Sequence, residues 1–164
     1  MSSEIKTYDL QPQIAQFGEV VNMIRTTRKK VMRLANAALV SLYWQVGQYI
    51  SEKIKTSEWG DSVIEELAKH IAKTEPELKG FSMQNLWRMK QFYETYSQAD
   101  EKLSTLLREI SWSNNLAIMS RCKTEEERLF YIKLSASENY SFRELKRQID
   151  SSLFERAMMA TPKL

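Results

Sequence analysis

Side-chain catalysis needs nucleophiles, bases or metal ligands brought together, and this sequence carries few of them. It holds one histidine, His70, and one cysteine, Cys122. That excludes a His/Cys zinc cluster and leaves little material for a Ser-His or Cys-His nucleophile. Clustered carboxylates beside a lysine would suit Mg²⁺-dependent phosphodiester cleavage, and Glu77-Leu-Lys79 and Glu144-Leu-Lys146 each spell E-x-K. Neither triplet falls in a strand-like stretch, and no Pro-Asp dipeptide occurs. With 27% charged residues such triplets arise by chance, so they are set aside as a catalytic centre. His70 stands among apolar neighbours in a helical pattern and reads as structural or solvent-facing. Cys122 follows Arg121, whose cation would mildly favour a thiolate, but a small residue at the core edge is the simpler reading. No catalytic residue, metal or cofactor is expected.

The remaining chemistry is recognition of anions. Arg25, Arg28, Lys29, Lys30 and Arg33 fall within one short run, and no acid occurs between Glu19 and Glu52. On a helix, uncompensated like charges repel by a few tenths of a kcal/mol per neighbouring pair. A phosphate backbone would relieve that repulsion; a solvated helix face is the plain alternative. The formal net charge of +3 conceals this stretch. A second group is Gln84, Asn85, Arg88 and Gln91, side chains able to make bidentate contacts with base edges or to reach phosphates. A third is Arg143, Lys146 and Arg147, diluted by Glu144 and Asp150.

The elements that must position these groups are helices. Four Gly and three Pro in 164 residues are too few for the turns of a sandwich or barrel. A hydrophobic content of 43% is enough for a core. The pattern predicts a leader over 1–13 and one helical domain over 14–160. Apolar residues at three- and four-residue spacing predict a first helix from about Pro12 to Lys55. A bend near Gly18, Gly47 or the basic run would shorten it; pairing with another chain is the alternative. Ser62-x-x-Glu65, Thr124-x-x-Glu127 and Ser141-x-x-Glu144 read as capping boxes, and Ser82 as the cap of a helix to about Ser97. Gln84, Arg88, Gln91 and Thr95 then share a face opposite Leu86, Met89, Tyr93 and Tyr96. The segments 62–73 and 82–97 together suggest a helix-turn-helix with a long connector. Residues 98–112 read as a short helical turn or a wing-like hairpin, and a further helix is expected from Ser113 to Arg121. No secretory signal or membrane span is visible, and a lone cysteine fits a reducing cytoplasm.

Read in order, several phrases resemble one family. They are Val40-Ser-Leu-Tyr-Trp-Gln-Val-Gly47, Trp59-Gly60, Gly80-Phe-Ser-Met-Gln-Asn-Leu-Trp-Arg-Met89, Ile110-Ser-Trp112, Glu127-Arg-Leu-Phe-Tyr131 and Tyr140-Ser-Phe-Arg-Glu-Leu-Lys-Arg-Gln-Ile149. Over roughly 15–156 they resemble the N-terminal domain of YhcG-type bacterial proteins. That resemblance implies a helical, winged-helix-like, DNA-binding domain fused to a C-terminal nuclease domain of the PD-(D/E)xK class, which is expected to lie outside this sequence. Where the family often has a histidine after Trp112, Ser113-Asn114-Asn115 stands here; Tyr140 stands where Trp is common. The expectation is therefore an all-α fold of five to six helices with a long N-terminal helix. Its expected role is a non-catalytic DNA-binding, targeting and assembly module, with DNA favoured over RNA as partner. A homo-oligomer through the first helix is expected, without a membrane. The alternative is a protein-interaction or dimerisation module that binds no nucleic acid.

Overall fold

A chain with few glycines and prolines has few places to turn, and long helices follow. A computed structural model describes residues 11–160. Their regular elements are eight helices, with no strand among the described residues: α1 (Gln11–Lys55), α2 (Ser62–Thr74), α3 (Met83–Tyr96), α4 (Glu101–Glu109), α5 (Trp112–Arg121), α6 (Glu125–Glu138), α7 (Phe142–Asp150) and α8 (Leu153–Ala160). Of the expected leader, residues 1–10 lie outside the described residues, and residues 11–13 already belong to α1.

The count of eight corrects the expected five to six, and local capping explains it. Asp100 is extended and its carboxylate accepts from Leu103 N–H at 2.8 Å, so α4 forms where a wing-like hairpin was one reading. Ser152, with φ of 60°, separates α7 from α8. Ser82, Ser111, Thr124 and Ser141 each accept a backbone N–H three residues on, satisfying a donor the helix leaves open. Glu127 reaches back past Thr124 to the Lys123 N–H at 3.2 Å. Ser62 is not a cap: α2 begins after Asp61, whose side chain makes no capping bond. α5 starts one residue earlier than its spacing suggested, because Ser111 caps it.

The chain forms two units, one up to Ala35 and one from Asn36. In the first, residues 11–35 are helical with every position exposed, and no break occurs at Gly18 or the basic run. In the second, the core has two clusters. One gathers Val40, Phe92, Leu107, Ile118, Tyr131, Ile132 and Leu145; the other gathers Ile50, Ile64, Leu86 and Met89. Trp112 packs against both, edge-on to Phe92 at 5.2 Å between ring centroids and tilted over Tyr43 at 4.8 Å.

Gly47 is a contact point where a bend was one reading. A Cβ built there would lie 2.0 Å from the carbonyl oxygen of Met89, so α1 and α3 meet backbone to backbone. Ser51 Oγ donates to Glu94 one turn further along, at 2.9 Å. Burial alone would raise the Glu94 carboxyl, but the bonds from Lys90 and Ser51 outweigh it and hold it below its ordinary value. Gly18 has nothing within 4 Å of a built Cβ. Gly47→Ala should therefore lower the urea midpoint by the equivalent of about 1–3 kcal/mol or more through overpacking. Gly18→Ala should leave the midpoint no lower and raise helical ellipticity, since alanine is the better helix former. An unchanged midpoint for Gly47→Ala would contradict the close approach.

Candidate nucleic-acid interface

α5 packs against α3, α6 and α7, and the space between α3, α5 and α7 is an open groove of about 400 Å³. Leu86, Met89, Phe92 and Tyr96 turn α3 inward, which leaves Arg88 and Gln91 to form one wall. Leu145 buries one side of α7, so Phe142, Lys146 and Ile149 form another wall. α5 supplies Ser113, Leu116, Ala117, Ser120 and Arg121. The floor is thus largely apolar, and the rim carries Arg88, Arg121 and Lys146.

The three cations are held differently. Arg88 is half-buried, and its Nη1 donates to Asn85 Oδ1 at 3.3 Å. Arg121 pairs with Asp150 of α7, both side chains partly open to solvent. That carboxylate offsets its charge and ties the ends of α5 and α7 together. Lys146 has no carboxylate within ion-pair distance among the described residues. An anion entering here meets two uncompensated cations and one that must share with Asp150.

Of the residues singled out from sequence, the fold brings Arg88 and Gln91 together with Lys146, from helices more than fifty positions apart. Gln84 is exposed on the same face of α3, while Asn85 serves to hold Arg88. Arg143 and Arg147 are exposed on α7 outside the groove walls. Arg25, Arg28, Lys29, Lys30 and Arg33 are all exposed on residues 11–35 of α1. Sequence reasoning missed Arg121 as a rim residue. Its signal was the helical spacing Ser113, Leu116/Ala117, Ser120/Arg121, one face of a short helix.

His70 and Cys122 lie outside the groove lining. His70 is exposed on α2. Cys122 is buried at 5% exposure, and burial pushes its thiol up to about 12, with Glu127 adding to the rise and the Arg121 and Arg128 cations opposing it. Asn114 and Asn115, where a histidine is common in the resembling family, are buried and bind backbone carbonyls. Asn115 Nδ2 donates to Leu107 O at 3.0 Å and Ser111 O at 3.2 Å, and Asn114 Nδ2 to Tyr140 O at 2.8 Å. Glu77 and Lys79 are exposed in the α2–α3 connector, and Glu144 and Lys146 are two apart on α7. No group of three or more His, Cys, Asp or Glu side chains able to hold a metal occurs among the described residues.

The described residues define an all-helical domain with a cationic groove, and none of their helices is long and apolar enough to cross a membrane. The chain belongs to the DUF1016 N-terminal domain family, whose sequence model matches residues 19–156; this is the YhcG N-terminal family that the motifs resemble. No curated protein and no solved structure matches the chain.

The Cys122 environment has a direct chemical readout. A thiol pushed up by burial to about 12 carries far less thiolate at pH 8 than an exposed cysteine. Iodoacetamide should alkylate the folded chain more slowly than the urea-unfolded chain, by about tenfold or more. Comparable rates would show an accessible thiol.

Proposed function

We propose that this chain is a DNA-binding, targeting and assembly module of a nuclease-type protein and is not catalytic by itself. The observation that supports it is the convergence of Arg88, Arg121 and Lys146, from three helices, on one groove with an apolar floor. Arg and Lys on a rim favour phosphate, and an apolar floor with Phe142 suits a sugar or base edge. A concave cationic surface also focuses field and speeds encounter with a polyanion. On this reading α2 and α3 act as a helix-turn-helix, and Gln84, Arg88 and Gln91 face the major groove of DNA rather than the deep groove of RNA. The connector, residues 75–82, is longer than the usual three or four residues. A winged-helix-like core would need its wing beyond the described residues. Lys29, Lys30, Arg33, Arg143 and Arg147 would add sequence-independent phosphate contacts. A buried, neutral Cys122 suits a cytoplasmic protein.

Duplex binding measured by fluorescence anisotropy tests this. Arg88→Ala and Lys146→Ala should each weaken binding, and each lost phosphate contact should flatten the log–log salt slope by about 0.9. Asp150→Asn, which releases Arg121, should strengthen binding. Binding that is undetectable with both DNA and RNA, or indifferent to salt, would overturn the proposal. Incubation of nucleic acid with this chain and Mg²⁺ should leave it intact; cleavage stopped by a chelator would refute the non-catalytic reading.

A second reading, assembly through α1, is favoured by its uncovered apolar row at Phe17, Val21, Ile24 and Val31.

A further inference from the structure

Residues 11–35 of α1 carry a seam that the groove does not explain. Ile14, Phe17, Val21, Ile24, Arg28 and Val31 follow the alternating three- and four-residue spacing of heptad positions a and d. Phe17, Ile24 and Val31 are each more than half exposed, at 52%, 53% and 59%. An exposed apolar row on a helix, broken here only by Arg28, is the kind of surface that marks an interaction site. Its alternating three- and four-residue spacing suits another helix as the occupant.

Charge selects which helix. Arg28 sits in the seam itself at an a position, and Arg25 flanks it at an e position. The sole acid of residues 11–35 is Glu19, at the outward f position. A second copy in parallel register would set Arg28 against Arg28. In an antiparallel pair over residues 11–35, no register brings a carboxylate to the seam or its flanks. We propose that α1 docks a partner's amphipathic helix whose apolar seam carries an acidic residue opposite Arg28 and a second acid opposite Arg25. Lys29, Lys30 and Arg33 lie at b, c and f and stay outside this pair.

The test uses the full chain and a synthetic helical peptide about four heptads long, with leucine at a and d except for one glutamate in the seam opposite Arg28, and a second glutamate at the flanking position opposite Arg25. Two controls accompany it: the same peptide with lysine for those glutamates, and a scramble of the acidic peptide. The acidic peptide should bind one-to-one by sedimentation, and at least about tenfold more tightly than the lysine peptide by anisotropy. Arg28→Glu alone should erase most of that preference, and Arg25→Glu with Arg28→Glu should reverse it. Ile24→Ser should abolish binding while leaving the thermal melt of the second unit and the effect of Arg88→Ala on DNA unchanged, so the two readings fail separately. Equal binding of the scramble would reduce the seam to plain charge attraction and overturn the proposal. So would a chain that is dimeric alone and ignores the peptide, or one that binds anionic phospholipid vesicles but not the peptide.

Discussion

The second unit depends on one close approach, that of Gly47 on α1 to the carbonyl of Met89 on α3. A missing side chain lets the two backbones touch, and that contact, together with the packing of α2 and α5, places what α3 carries. Arg88 is the residue immediately before Met89, so the depth at which α1 seats α3 also sets how far the first wall of the groove stands out. α5 packs on α3, and α7 on α5. The walls of the groove are therefore linked to that contact through α3 and α5. Ridge-into-groove packing of ordinary side chains would hold the helices about 8–10 Å apart; contact at the backbone removes the slack that such packing allows.

Polar groups lock the corners that apolar packing leaves open. The last carbonyls of a helix have no partner within it. Asn36 Nδ2 reaches Arg108 O at 3.1 Å and Ile110 O at 3.0 Å, while Asn115 takes neighbouring carbonyls of the same α4–α5 corner. Tyr131 is wholly buried, yet its hydroxyl accepts the Phe154 N–H at the start of α8. Each such bond is worth about 0.5–1.5 kcal/mol net, and leaving its buried partner unmade costs more. The amide oxygens of Asn114 and Asn115 have no hydrogen-bond partner among the described residues. The donor ends of these side chains carry the structural task.

Much of the fold was legible because its signals are local. Helix periodicity marked α1, α2 and α3, and Ser or Thr three residues before a polar side chain marked the starts of α3, α6 and α7. α4 was obscured because residues 98–112 mix a cap, charges and a β-branched end, and only the Asp100 bond to Leu103 distinguishes helix from hairpin. Ser62 misled because the chain enters α2 already in helical conformation at Asp61, with φ of −58° and ψ of −33°, so no extended cap position exists. For the site, α3's polar face could be read from spacing. The groove could not, since it depends on which side of α5 meets α7. Gly47 was noticed for its flexibility, whereas its role is steric; a sequence does not show what lies opposite a helix.

All four tryptophans, Trp44, Trp59, Trp87 and Trp112, belong to the second unit, and none lies in residues 11–35. Indole emission therefore reports on the second unit alone, while peptide-bond ellipticity sums over both. A denaturation curve followed by the two probes compares the units without any label. Coincident curves would mark a single cooperative transition, and separated curves would isolate the stability of the exposed half of α1.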